Sequence, residues 1–305
     1  MELAYISFRQ ILTMLILMGI GVVCEKVGLI NEETNKRLVD IVLLLLGPMV
    51  LFLSYQRPFE AELAWWLLLT AGLSALAFGV GIAFSHIVYR IIYGRHKNCG
   101  VDIFASAYPN AGFIGIPLLQ GILGYESIFF LSVYIGVFAM FMWTHGAIVM
   151  GGGFSPSKLR KALVGTPMLS VFIGIGFFLV GIELPDIVYT PMRMMANANI
   201  PMAMLAAGVT LAKSDVPRLL RNKRAYIATF MRLVAVPALT IAIISSMTLP
   251  PIVAGTILVA ISCPAAANLI FFAYRFDADV PLAADIFALS TVASIITIPL
   301  MLLFI

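Results

Sequence analysis

Apolar stretches of about twenty residues, each closed by a short polar or charged segment, follow one another along nearly the whole chain. A helix of that length crosses the hydrocarbon core of a bilayer. The pattern predicts ten such helices, at 5–25, 35–54, 62–92, 99–122, 126–149, 160–181, 187–212, 223–246, 251–274 and 281–304. The third is long enough to tilt or to project beyond the bilayer. Two are interrupted in the middle, the fourth at Pro109-Asn110-Ala111-Gly112 and the ninth at Pro264-Ala265-Ala266-Ala267-Asn268. Backbone groups freed by such a break are tolerated only inside protein or beside a watery cavity. The predicted fold is all-α and integral to the membrane.

Composition sharpens this picture. Of 305 residues, 62% are hydrophobic and only 11% charged, too few charges to cover a soluble protein of this size. A net charge of +4 therefore says nothing about nucleic acid, and no nucleic-acid partner is expected. Cys24, Cys99 and Cys263 lie in or beside apolar segments without metal-ligand spacing and read as small buried hydrophobes. The first apolar stretch lacks a basic leader and a cleavage site, so it is expected to remain as a span.

Charge placement gives an orientation. Lys26, Lys36 and Arg37 fall in the first loop, Arg90, Arg95 and Lys97 in the third, and Lys158, Arg160 and Lys161 in the fifth. Lys213, Arg218, Arg221, Lys223 and Arg224 fall in the seventh and Arg275 in the ninth, whereas the even loops hold little beyond Arg57 and Arg193. Basic residues mark the cytoplasmic side, which puts both termini outside it, in a multi-pass protein of a cell inner membrane.

The two halves also resemble each other. Gly19-Ile20-Gly21 recurs as Gly174-Ile175-Gly176, Pro48-Met49 as Pro201-Met202, Pro109 as Pro264, and Ile128-Phe129-x-Leu131-Ser132 as Ile286-Phe287-x-Leu289-Ser290. Five spans per repeat is an odd number, so the second copy enters from the opposite side. Residues 1–150 and 151–305 then form inverted five-helix repeats with crossing broken helices, an architecture that permits alternating access.

The breaks carry the candidate chemistry. Proline removes a backbone donor and glycine permits unusual dihedrals, so Pro109, Gly112 and Pro264 expose helix ends. The N-terminal ends present partial positive charge, suited to an anionic group near the midplane. Asn110 and Asn268 add amides that donate to a carboxylate or accept from a hydroxyl. Both asparagines equally suit capping of the broken ends. Tyr134 and Trp143 lie in the fifth span beside the breaks, where packing and substrate contact compete. Pro48 and Pro201 read as hinges of spans two and seven. Asp102 and Asp285 start spans four and ten, where they cap, pair with nearby basic residues or carry a coupling proton. Arg232 lies within a span, where a charge is as a rule functional or paired, and about two turns from the seventh loop, which equally suits snorkelling toward the interface. His86 and His145 sit near span ends as structural histidines, and the methionines of span seven suit helix packing.

The segment Asn110-Ala-Gly112-Phe-Ile-Gly115-Ile-Pro117-Leu118 resembles the Asn-x-Gly-Phe-x-Gly-x-Pro-Leu signature of the auxin efflux carrier family. Pro264 to Asn268, Leu289-Ser290-Thr291 and Ile296-Thr-Ile-Pro299-Leu300 are similar to the end of that family, so the resemblance spans essentially the whole chain. It implies an elevator-type carrier, with a fold like that of sodium/proton antiporters. Spans one, two, six and seven would form the scaffold, and three to five with eight to ten the mobile transport domain. It also implies a homodimer through the scaffold, and Pro109, Asn110 and Pro264 at the crossover, with Asn268 a weaker match. The plant exporters' long central loop is absent, since Gly151 to Lys161 is short, and Leu51 stands where they tend to carry serine. A bacterial type of malate or malonate permease is the closer resemblance.

The expected function is secondary-active transport of a small organic anion, a carboxylate such as malate, malonate or an auxin-like acid. No cofactor is called for, and Na+ or H+ are the candidate coupling ions. The alternatives are a sodium-coupled symporter of related fold, or a channel or sensor of the same architecture. A cation antiporter is disfavoured because no acid sits at either break. No metalloprotease motif, catalytic pair or phosphate-binding loop occurs, so an enzyme or an ATP-driven pump is not expected.

Overall fold

The computed structural model describes residues 2–94, 98–151, 155–212 and 216–304. Arg95, Lys97 and Lys213 lie outside the described residues, as do the side chains of Lys158 and Lys161. Among the described residues all regular secondary structure is helical. Six helices are long and apolar enough to cross a membrane: Phe8–Lys26, Ala61–Tyr93, Ser127–Val149, Asp186–Ala212, Lys223–Ile244 and Val280–Met301. Ala111–Leu123, Thr166–Val180 and Pro251–Ser262 are shorter apolar helices.

Several predicted segments are built from pieces, and proline explains most of the joints. The stretch 35–54 starts at Glu32, capped by Asn31, and runs through Glu32–Ile41, Val42–Leu46 and Gly47–Leu53 end to end. The stretch 160–181 divides into Pro156–Leu163 and Thr166–Val180, because Gly165 is extended and Pro167 opens the second helix. That helix ends at Gly181 in the left-handed region, where the Ile182 N–H returns to the Phe177 carbonyl. Segment 187–212 breaks at Ala198, between Asp186–Asn197 and Asn199–Ala212. Pro201 has no N–H for the Asn197 carbonyl and its ring crowds that group, so the turn opens there.

A second proline device recurs. Val42–Leu46, Ala111–Gly115 and Met231–Ala235 are π-helical turns, and each is followed two residues later by proline: Pro48, Pro117 and Pro237. The wider turn accommodates the carbonyl that the proline ring would otherwise strike. A fourth π turn, Met142–Gly146, has no such proline. All four turns lie against the cavity or the crossover described below.

Close glycine contacts fix the helix pairs. A Cβ on Gly208 would lie 1.9 Å from the Met18 carbonyl oxygen, and one on Gly21 would lie 2.2 Å from that of Leu205. The N-terminal helix and Asn199–Ala212 therefore touch backbone to backbone. Gly174 instead lies against the side chain of Tyr55, which joins Thr166–Val180 to the turn just after Gly47–Leu53. The interior is filled by Phe78, Phe104, Phe129 and Tyr134, all fully buried, while Ile91, Ile187, Met194 and many other large apolar side chains face outward. An apolar exterior of this kind suits lipid.

Candidate functional site

Two short helices end at the centre of the molecule. Gly100–Ala107 stops at Tyr108 and Pro251–Ser262 stops at Cys263, and both stop residues are extended because proline follows. The extended stretches cross antiparallel, with Pro109 opposite Ala265. The Asn110 N–H donates to the Pro264 carbonyl at 2.8 Å, and the Ala266 N–H to the Tyr108 carbonyl at 3.0 Å. The Ala265 N–H donates to Ser290 Oγ at 3.1 Å. The breaks thus satisfy much of each other's backbone, as buried polar groups must.

Arg232 completes the crossover. It does not reach the interface: it is fully buried on the π turn Met231–Ala235. Its Nη1 donates to the Ser106 carbonyl at 2.8 Å and its Nη2 donates to the Ile261 carbonyl. Those carbonyls lie in the last turns of the two interrupted helices, where unpaired C=O groups carry partial negative charge. One guanidinium therefore serves both helix C-termini. Counting turns from the basic loop gives depth along the span and not the face, and this side chain lies on the face turned to the crossover.

Beyond the crossover the helices restart at Ala111–Gly115 and at Asn268–Arg275. These N-terminal ends border a cavity of about 860 Å³. Pro109, Asn110, Gly112 and Asn268 line it, as does Pro48. Asn110 is 5% exposed, and its Nδ2 has no hydrogen-bond partner among the described residues. Asn268 Nδ2 lies 3.2 Å from Met142 Sδ, a weak acceptor. Pro264, Pro201 and Tyr134 are not part of the lining; Tyr134 is fully buried, 5.0 Å from Phe78 ring to ring. Trp143 does line the cavity. So does Asn199, fully buried and without a partner for either amide atom. Its neighbour Pro201 was the only signal in sequence that this position is special.

From the crossover the cavity extends to the exposed Glu32–Lys36 pair, Arg218 and Asp285. Arg218 holds Asp285 through Nε and Nη2, at 3.1 and 2.8 Å to Oδ1, and Asn222 Nδ2 donates to Oδ2 at 2.9 Å. Asp102 is paired in turn by Arg224. His86 and His145 meet Nε2 to Nε2 at 2.9 Å, and His145 Nδ1 lies 2.9 Å from the Tyr108 hydroxyl. Among the described residues no group of three or more His, Cys, Asp or Glu could hold a metal ion.

Comparison with known proteins adds the family. The model of the family described as "Membrane transport protein" matches residues 6–155 and 153–302. The chain belongs to that family. This bears out the resemblance to auxin efflux carriers and, with the apolar helices, makes it a multi-pass membrane protein. Two curated archaeal relatives are described as uncharacterized transporters. One, from Methanocaldococcus jannaschii, is 24% identical over 97% of both chains. The other, from Methanothermobacter thermautotrophicus, is 23% identical over 96% of this chain and 97% of its own. Family and relatives alike are transporters, a class distinct from enzymes.

Proposed function

We propose that this membrane transport protein is a secondary carrier for a small organic anion, bound where the two interrupted helices cross. One observation carries the reading. Both helix N-termini, with Asn110 and Asn268, border the cavity, whereas the two preceding C-termini are held by the Arg232 guanidinium. The partial positive ends thus face the ligand, and a fixed cation offsets the partial negative ends. A carboxylate meets N–H donors there, and a coupling cation meets a guanidinium where it would need free carbonyls. The sodium-symporter reading is disfavoured for that reason.

Alternating access follows from an inverted pair of five-helix repeats within ten spans. Residues 1–150 and 151–305 are the repeats; spans one, two, six and seven form the scaffold, and the other six the moving domain. The contacts of Gly21 with Leu205 and of Gly174 with Tyr55 support this, since each joins a first span of one repeat to the second span of the other. Charge placement puts the Glu32, Lys36 and Arg218 end of the cavity in the cytoplasm, which makes this an inward-open state. The outward apolar residues Ile187 and Met194 offer a scaffold face for lipid or a second copy of the chain.

Uptake of labelled malate, malonate and indole-3-acetate into proteoliposomes, with and without sodium and proton gradients, tests the proposal. Saturable uptake of one carboxylate, at least about tenfold lower in Asn110→Ala, is the expected result. Uptake that Asn110→Ala leaves unchanged removes Asn110 from the ligands. If none of the three acids is carried by folded protein, carboxylates are the wrong class.

A further inference from the structure

Three hydrogen bonds join the scaffold spans to the moving spans on the side of the crossover away from the cavity. In span one, Gln10 Nε2 donates to the Pro117 carbonyl of the helix Ile116–Leu123, at 3.0 Å. Gly121 leaves room for that side chain, since a Cβ there would stand 2.1 Å from Gln10 Cδ. In span two, the Tyr55 hydroxyl meets Ser132 Oγ of Ser127–Phe141, and both residues are fully buried. Ser132 Oγ itself donates to the Phe129 carbonyl at 2.7 Å, so it accepts from Tyr55. The Tyr125 hydroxyl donates to the Val50 carbonyl of span two at 3.2 Å. Along the same seam Ile11 and Met14 of span one share a small apolar void with Leu118 and Ile298. In the cytoplasmic half the cavity itself lies between the two groups of spans, lined by Pro48 and Met168 from one and by Phe138 and Phe287 from the other.

Opening the outer side parts this seam and breaks the bonds across it. Contacts inside either domain persist in both states, and only a contact made in one state biases the equilibrium between them. The Tyr55 bond is suited to release. Ser132 keeps its own bond to Phe129, and the freed phenol meets the water that enters. The ring of Tyr55, 5.1 Å from that of Phe129 and packed on Gly174, holds the hydroxyl in place until then. We propose that Tyr55 and Gln10 form an outer latch that favours the inward-open state. They are positioning residues: they set how often the site turns outward and do not touch the ligand. The inference rests on the division into scaffold and moving domain and is independent of the ligand's chemistry.

The test is labelling of introduced cysteines in the full chain with a membrane-impermeant maleimide. Mass spectrometry follows it peptide by peptide, so that Cys24, Cys99 and Cys263 are read apart. Leu118→Cys, at a fully buried position on the seam, reports the outer side in right-side-out membrane vesicles. Ala139→Cys, on the cavity wall, reports the inner side in inverted vesicles. Tyr55→Phe, which keeps the ring, and Gln10→Met are each expected to speed labelling of Leu118→Cys by about three- to tenfold, the effect of one hydrogen bond, without speeding that of Ala139→Cys. Adding Ser132→Ala to Tyr55→Phe is expected to change the outer rate no further, and a second rise of the same size would overturn the pairing. Faster labelling at both reporters means general loosening and overturns the latch, as does an outer rate that either variant leaves unchanged. Gln56 is the control within the scaffold, where its Oε1 accepts from the Leu184 N–H at 2.8 Å. Gln56→Leu is expected to leave the outer rate as it is; if it matches Tyr55→Phe, the division into two domains falls and takes the latch with it. If Leu118→Cys reacts in no variant, the outward state and alternating access fall together.

Discussion

The guanidinium of Arg232 donates to the main-chain carbonyl of Ser106 from 126 residues away, at 2.8 Å and fully buried. Its second nitrogen takes the Ile261 carbonyl of the other interrupted helix. A planar fork of donors suits two separate carbonyls, whereas an ammonium is a compact point charge. Arg232→Met leaves both carbonyls without this donor and should therefore lower stability by about 1–3 kcal/mol. Arg232→Lys should recover only part of it. Denaturation of the detergent-solubilised variants measures the order; a methionine variant as stable as wild type would remove Arg232 from the crossover.

The backbone contact between the N-terminal helix and Asn199–Ala212 leaves no room for a side chain at Gly208. A methyl group there would stand 1.9 Å from the Met18 carbonyl oxygen, an atom that cannot rotate away. Gly208→Ala should cost about 1–3 kcal/mol, the usual penalty of overpacking, although alanine favours helix. Gly19→Ala on the same N-terminal helix, where nothing lies within 4 Å, serves as the control and should be neutral or slightly stabilising. Equal unfolding midpoints for the two variants would contradict the packing.

What the sequence makes legible and what it hides divide along physical lines. Pro109 and Pro264 announce the crossover because they recur at matching points of the two halves, whereas prolines such as Pro48, Pro117 and Pro237 in other apolar runs are taken up by π turns. Arg232 stays hidden because counting turns from the basic loop gives depth and not which face of the span is turned to the crossover. Asn199 stays hidden because it and Asn197 form no pattern in a methionine-rich stretch, and its unpaired amide is visible only in the structure. Ser290 reads in sequence as a repeat marker matching Ser132, yet the two do different things. Ser290 accepts from a break residue, while Ser132 pairs with the Tyr55 hydroxyl.

Ser290 gives a prediction of its own. Its hydroxyl is the partner of the Ala265 N–H, in the middle of the crossing strand. Ser290→Ala leaves that N–H buried and unpaired, at a cost of about 1–3 kcal/mol, and loosens the geometry that holds Asn110 against Pro264. Hydrogen exchange followed by mass spectrometry should show faster exchange in the 262–268 peptide of the variant. Unchanged exchange there would mean that another group takes over the N–H.

Asp285 decides how a proton could be involved in transport. Arg218 grips its carboxylate through two nitrogens and Asn222 donates to the other oxygen. The pair ties segment 216–222 to the helix Val280–Met301. Asp285→Asn should therefore slow uptake by weakening the contact between segment 216–222 and the helix Val280–Met301, while the ratio of uptake with and without a proton gradient stays at its wild-type value. The measurement is that ratio in proteoliposomes, with Arg218→Ala alongside to disrupt the same contact without touching the acid. If the gradient response disappears in Asp285→Asn but survives in Arg218→Ala, then Asp285 does carry the proton, and the pair is a resting state that opens during the cycle.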